Sequence, residues 1–297
     1  MIAILAIRDK YYGNWAYNLA LSIKANDSKL PILLIHDQVA TRHYKSFHWQ
    51  LFDVKTEMAF DHCWKDRRLE PGIAKLHLYQ YLTEDTLYID ADSLCVKNPD
   101  PLFHLLKERD PYYVCQRVGT VNKGDGICHD MLWQTTDLIW ERFNLKVDSF
   151  PATNTSFQYI KICPETEKLY ADALYAVEHG WHYGDLNLQW GKSKAQPDEL
   201  YMNIALAMNE TDIGNYKPIY FTRKNLGLKK WEQVLEDHYF VGYWGDSGLN
   251  HRSIKELYDK LLKEFSIKVL KRRHEFKLHH LIKNKFLLKE NKNVRMQ

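Results

Sequence analysis

Residues 86–94 read Thr86-Leu-Tyr-Ile-Asp-Ala-Asp-Ser-Leu94, an apolar run of strand type that ends in two aspartates one residue apart, Asp90 and Asp92. Two carboxylates at the exit of a buried strand suit the holding of a divalent metal, and a metal held there can grip the diphosphate of a nucleotide-linked donor. Hard oxygen ligands match Mg²⁺ or Mn²⁺, which bind through one or two protein carboxylates plus substrate phosphates. The triplet alone is a weak signal, because a strand-end aspartate also serves to cap a turn. An EF-hand is excluded: positions five and six of such a loop would be Leu94 and Cys95, where an Asp/Asn and a glycine are required.

Working outward, strand and helix patterns alternate through the first half, which predicts an α/β fold with a mostly parallel sheet flanked by helices. Ile2–Ile7 reads as a first buried strand, Trp15–Ala25 as an amphipathic helix, Pro31–His36 as a second strand and Leu51–Val54 as a third. Ile73–Leu82 has helical spacing and leads into the strand that ends at Asp90. Open parallel sheets collect ligands at the carboxyl ends of their strands, and Asp90 and Asp92 stand at such an end. Asn98-Pro-Asp-Pro reads as a turn entering a helix, and Tyr112–Gln116 and Phe157–Ile162 as further strands. Residues 117–150, with Gly119, Gly124 and Gly126, suit a loop over a site. Glu165–His179 and Asp198–Met208 read as helices, His238–Trp244 as a late strand, and Ser253–Phe265 as a last helix.

Composition sets the bounds. The chain has 297 residues, 45% hydrophobic and 27% charged, enough for a sizeable core. Met1 to Ile7 is too short for a signal or spanning segment, and five scattered cysteines without a C-x-x-C pair argue against a zinc site or disulfide framework; a reducing cytoplasm is expected. The net charge of +3 conceals an asymmetry: residues 268–297 carry ten Lys/Arg against two Glu, so the preceding body is mildly acidic and the tail strongly basic.

The segment Ala74-Lys-Leu-His-Leu, then Thr86 to Leu94, then Asn98-Pro-Asp-Pro-Leu-Phe103 resembles the core of glycogenin-like, family-8-type glycosyltransferases. The resemblance implies the GT-A fold, an Mn²⁺ ion and a UDP-sugar donor. By the same resemblance Asp90 and Asp92 ligate the metal, Ala91 lies between them in the donor site, and Lys75 sits near the donor sugar or phosphates. Ala6, Ile7, Arg8 and Tyr11 match where the family cradles the nucleotide base, and an aromatic face there suits stacking.

Further along, Thr153-Asn-Thr-Ser156 occupies the place of the family's Asn-Ser/Ala-Gly element, with Asn154 as a sugar hydroxyl partner. Asp198 and Glu199 resemble the Asp-Gln pair beside the anomeric centre, with Glu replacing Gln. The family's third metal ligand is a late histidine; His238 matches its place with altered spacing, and Asp246, Ser247 or His251 are substitutes. The phosphate-binding lysine of that element is missing, leaving His251 or Arg252.

The expected organisation is a GT-A catalytic domain over residues 1–252 and a basic helical extension over 253–297. The expected activity is metal-dependent (Mn²⁺ or Mg²⁺) transfer of a sugar from a nucleotide-sugar to an acceptor hydroxyl, with retention. The acceptor expected is a glycan or glycolipid such as a bacterial surface polysaccharide. The tail, with Leu270, Leu278, Leu281, Ile282 and Phe286 among its cations, is expected to touch an anionic membrane at the inner face, or otherwise simply to pack on the body. Two alternatives are a phage-type enzyme that uses the tail on DNA to glycosylate it, and a non-catalytic module binding sugar-nucleotides or glycans. A nucleotidyltransferase is disfavoured because Ala6 to Gly13 lacks a glycine-rich basic loop.

Overall fold

The structure, a computed structural model, describes residues 1–58, 70–128, 134–180, 198–221, 228–243 and 255–271. The chain opens with β1 (Ile2–Ala6), α1 (Lys10–Ala25), β2 (Ile32–His36), the short helices α2 (Gln38–Thr41) and α3 (Ser46–Trp49), and β3 (Val54–Glu57). α4 (Glu70–Leu76) and a 3₁₀ turn (Leu78–Tyr81) precede β4 (Thr86–Ile89) and β5 (Ser93–Cys95). Then come α5 (Asp100–Glu108), β6 (Tyr113–Asn122), β7 (Ile127–Cys128), β8 (Gln134–Thr135), α6 (Thr136–Phe143) and β9 (Ser149–Ile160). α7 (Pro164–Gly180), α8 (Asp198–Met208), β10 (Ile219–Phe221), α9 (Leu228–Asp237), β11 (Phe240–Gly242) and a helix over 255–271, α10, complete the described chain.

The main sheet has the order β3-β2-β1-β4-β9-β6. Its first three pairings are parallel, and β9 joins antiparallel between β4 and β6. Every residue of β1 is buried because both faces of the sheet are covered. Ala3 and Leu5 enter one core with α4, α7 and α8, while Ile2, Ile4 and Ala6 enter a second with α1 and α10. This period-two split explains why β1 reads as a continuous apolar run. A second sheet, β10-β11-β5, is anchored where the chain leaves Asp92.

Three elements differ from the sequence reading. Helix α1 begins at Lys10 rather than Trp15, because Asp9 caps it by accepting the amides of Tyr11 (2.8 Å) and Tyr12 (3.4 Å). The third strand is Val54–Glu57; Leu51 and Phe52 are buried ahead of it, and its mostly exposed residues mark an edge strand. Residues 117–150 are not an irregular loop where described: β6 runs to Asn122, and Gly124 and Gly126 turn the chain at positive φ (85° and 72°). The pair β7/β8 and helix α6 follow, and β9 already starts at Ser149.

Helix α10 buries Tyr258, Leu261 and Phe265 in the second core, and Asn18 donates to the Tyr258 hydroxyl at 2.6 Å. The basic segment beyond residue 271 lies outside the described residues.

Candidate active site

The sheet order reverses direction between β1 and β4, so the crevice at their C-terminal ends is where an open α/β sheet offers a ligand site. After β1 the chain turns sharply at Arg8, a non-glycine residue with φ +84°. Such a conformation costs on the order of 1–3 kcal/mol and persists only where the surroundings impose it. Here Asp37 imposes it: one carboxylate oxygen accepts the Arg8 amide at 2.7 Å, and the other caps α2 through Ala40 at 2.7 Å. Ala6 and Ile7 contribute backbone and core; the Ala6 carbonyl accepts the Asp37 amide at 3.2 Å and Ile7 is buried.

The early helix start decides which tyrosine faces the crevice. Tyr11 is 47% exposed, with the Lys10 ammonium 5.5 Å from its ring centre. Tyr12 points inward, and its hydroxyl pKa is pushed up to about 12, by burial first and then by the Asp92 carboxylate, with Asp90 adding to it.

Asp90 is held from three sides. Its amide donates to the Ser156 carbonyl at 2.9 Å, the Tyr88 hydroxyl donates to its Oδ1 at 2.6 Å, and Lys75 Nζ donates to its Oδ2 at 3.1 Å. Tyr88 and Asp90 are two apart on one strand and so share a face. Lys75, from α4, also meets Asp198 Oδ2 at 2.9 Å and Thr155 Oγ1 at 3.3 Å, and the Thr155 hydroxyl donates to Asp198. Burial alone would drive the Lys75 ammonium toward neutrality. The carboxylates of Asp198, Asp90 and Glu199 overcome it and hold the pKa well above the ordinary lysine value. Asp92 follows, half-buried, across the buried Ala91; its carbonyl accepts the Tyr243 amide at 3.1 Å, tying the triplet to β11.

Thr155 reaches Lys75 and Asp198 because β9 is bulged. Cys115 pairs with Gln158, yet the next residue, Gln116, pairs with Asn154, so residues 155–157 leave that ladder. A buried truss supports the bulge: Gln158 donates to the Thr155 carbonyl at 3.0 Å and accepts the hydroxyls of Tyr113 (3.0 Å) and Tyr170 (2.6 Å). Asn203 of α8 accepts both the amide (3.1 Å) and hydroxyl (2.6 Å) of Thr153, which fixes α8 and its first-turn acids against β9. Glu199, half-buried beside Asp198, has its carboxyl pKa pushed up to about 8, by burial first and by the Asp198 charge second, with Lys75 opposing.

Lys75, Asp90, Thr155, Asp198 and Glu199 therefore form one cluster with Asn154 adjacent in sequence and Asp92 and Tyr12 on its rim. His238 is not part of it. Asp92 lies opposite Tyr243 at one end of β11, whereas His238 precedes the other end, Val96 bonding Tyr239. Five residues separate Tyr243 from His238, roughly 16 Å of extended chain. His238 instead takes a contact at 3.2 Å between its Nδ1 and the Val234 carbonyl. Asp246, Ser247, His251 and Arg252 lie outside the described residues.

The donor set fits a hard divalent cation. Asp90, Asp92, Asp198 and Glu199 bring four carboxyl groups to a region where Lys75 is paired with Asp90 and Asp198, and a cation at Asp90 and Asp92 would relieve the excess of negative charge. Among the described residues no three His, Cys, Asp or Glu side chains are grouped to complete a metal shell. Tyr88, Tyr12, Thr155 and Gln158 were not singled out as site residues by sequence reasoning. Only Tyr88 carried a usable signal, its position two before Asp90.

No family model matches the chain, and no curated protein sequence does. Its fold is shared with solved glycosyltransferases. The galactosyltransferase LgtC, solved with donor and acceptor sugar analogues, superposes with a TM-score of 0.54 at 13% identity, over 89% of this chain and 95% of that one. An active-site mutant of LgtC gives 0.53 at 15% identity, over 88% and 95%. The glycosyltransferase GlyE of Streptococcus pneumoniae TIGR4 gives 0.55 at 13% identity, over 92% of this chain and 63% of that one. The architecture is thus a mixed α/β fold of the GT-A type, with a mostly parallel sheet flanked by helices. Identities this low speak to fold alone.

Proposed function

We propose that the protein is a metal-dependent glycosyltransferase that moves a sugar from a nucleotide-sugar, UDP-linked by family resemblance, to a hydroxyl of a glycan or glycolipid. The supporting observation is the Lys75 ammonium held between Asp90 and Asp198 at the carboxyl ends of the sheet strands, one residue from Glu199 and two from Asp92. A purely structural ion pair would not need a bulged strand, a threonine and a tyrosine to orient it.

In this reading Asp90 and Asp92 hold Mn²⁺ or Mg²⁺, which supplies neutralisation of the charge that develops on the departing diphosphate. Lys75 adds a fixed positive charge on the same side, already oriented and desolvated before the donor arrives. The turn at Arg8 and the start of α1 present Tyr12 to the nucleotide. Asn154 reads a sugar hydroxyl, and Asp198 and Glu199 stand on the side where positive charge grows on the anomeric carbon. Transfer with retention is the outcome the family resemblance implies. A panel of nucleotide-sugars, scored for thermal stabilisation and hydrolysis with and without Mn²⁺, tests the reading: at a hundredfold excess over Kd a true donor adds about 2.7 kcal/mol of stability. Absence of any metal-dependent shift or turnover across the panel rejects it.

The acceptor is proposed to lie at an anionic membrane. The described end of α10 leaves Ile267 44% and Leu270 56% exposed beside Lys268 and Lys271, and the sequence continues basic and amphipathic. No helix of the described residues is long and apolar enough to cross a membrane. Vesicles containing phosphatidylserine should bind the full chain and release it at high salt; binding to duplex DNA instead would favour the DNA-glycosylating alternative.

A further inference from the structure

Residues that directly follow β1 and β2 stand at the same edge of the sheet as Asp90, because β1, β2 and β4 run parallel. Helix α1 and the α2–α3 segment leave that edge locked together: the Tyr44 hydroxyl donates to the Gly13 carbonyl, and His43 Nε2 lies 2.8 Å from Asn14 Oδ1. The surface of this pair mixes exposed apolar groups with cations. Val39 is 44% and Phe47 45% exposed, and Lys10, Arg42 and Lys45 are exposed as well. Val39 and Arg42 are three residues apart at the end of α2 and so share a face. The cations are close neighbours: the His43 pKa is lowered by burial first and then by Lys10 and Arg42, and that of His48 by burial first, with His43 and Lys45 adding to the lowering. The acids of the same segments are engaged elsewhere. Asp9 caps α1 and lies 4.0 Å from Arg8 Nε, and both carboxylate oxygens of Asp37 accept backbone amides.

Apolar tips set among cations suit an anionic lipid surface, where the cations meet headgroup phosphates and the tips enter the acyl boundary. Nucleic acid fits less well, because bases stack on open aromatic faces. Here the rings cover one another: Phe47 stacks on His48 at 3.9 Å, and Tyr44 stacks on His48 at 5.0 Å and on Phe52 at 6.3 Å. We propose that Val39, Arg42, Lys45 and Phe47 of the α2–α3 segment form a membrane-docking surface that holds the donor crevice against anionic lipid. The inference rests on the reading of a membrane-borne acceptor given above. It adds a contact made by the folded body to that of the basic tail, and it sets which edge of the sheet faces the bilayer.

The test uses the full chain and co-sedimentation with vesicles of phosphatidylcholine, with and without phosphatidylserine. Wild type is compared with Arg42→Ala/Lys45→Ala, with Phe47→Ser, and with Lys123→Ala/Lys146→Ala, which removes the same charge from exposed positions elsewhere. The Arg42/Lys45 variant should bind serine-containing vesicles about 25-fold more weakly, about fivefold for each cation. Phe47→Ser should bind them about tenfold more weakly. The Lys123/Lys146 variant should stay within about twofold, since charges farther than a Debye length from the lipid are screened. Hydrolysis of UDP-sugars without vesicles should match wild type in all three. Variants of Arg42, Lys45 and Phe47 that bind no worse than the Lys123/Lys146 control overturn the proposal and leave the tail as the lipid contact. A loss seen with duplex DNA and not with vesicles overturns it in favour of nucleic acid. Wild type that binds no vesicle overturns both this surface and the membrane-borne acceptor, while hydrolysis decides the transferase reading separately.

Discussion

Lys75 Nζ lies 2.9 Å from Asp198 Oδ2, joining α4 to the first turn of α8 across 123 residues of sequence, and its remaining donors reach Asp90 and Thr155. One ammonium thus balances the buried carboxylate of Asp198 and the half-buried one of Asp90. Removing it leaves both uncompensated. Lys75→Met is expected to cost about 3–5 kcal/mol of stability, read as a lowered urea midpoint. Adding Asp198→Asn to Lys75→Met should return part of that loss, a coupling that a double-mutant cycle measures directly.

Glu199 makes stability depend on pH in the sense opposite to most carboxylates. Its folded pKa of about 8 exceeds the ordinary 4.5, so the folded protein keeps a proton that the unfolded chain has released. Stability therefore falls as pH rises between those two values. Glu199→Gln should flatten the thermal midpoint across that window and raise it at pH 8 relative to wild type, in metal-free buffer. An unchanged slope would show that Glu199 is not protonated there.

Gly13 tests the seat of the nucleotide turn. A Cβ there would lie 2.1 Å from the Ala40 carbonyl oxygen, so α1 and α2 can approach only without one. Helix propensity alone would favour alanine by about 1 kcal/mol. Gly13→Ala is nevertheless expected to destabilise by about 3 kcal/mol through overpacking against backbone. Thermal unfolding gives the sign, and a stabilised variant would contradict the packing.

Tyr12 and Tyr11 should behave differently. Tyr12→Phe removes the hydroxyl facing Asp92 and should weaken Mn²⁺-dependent UDP binding several-fold, while Tyr11→Ala, on an exposed ring, should change stability by less than about 0.5 kcal/mol. Calorimetry with UDP and Mn²⁺ separates them.

Much of the frame was legible because it rests on local chemistry. The runs ending at Ala6, His36 and Ile89 are almost wholly apolar, as befits strands covered on both faces, and Asp198–Met208 is bounded by the acids that open it. What escaped depends on long-range geometry. Nothing in Thr153-Asn-Thr-Ser156 announces that a bulge turns Thr155 toward Lys75; that follows from the pairing of β9 with both β4 and β6. The inward tyrosine is Tyr12 because Asp9 starts α1 five residues before the apolar periodicity suggests. His238 matched a family position by sequence, and only the β5–β11 register shows it at the far end of the strand from Asp92. The glycines of 117–150 suggested a loop, although Gly119 pairs within the β6–β9 ladder opposite Ala152.

The most direct test is a calorimetric titration of UDP in the presence of Mn²⁺ into wild type and Asp92→Asn. Wild type should bind with a metal requirement abolished by EDTA, and Asp92→Asn should lose about a hundredfold or more in affinity while keeping the wild-type fold by circular dichroism. Equal affinity in the two proteins, or binding indifferent to EDTA, would contradict the assignment of the Asp90-Ala-Asp92 turn as a metal and diphosphate site.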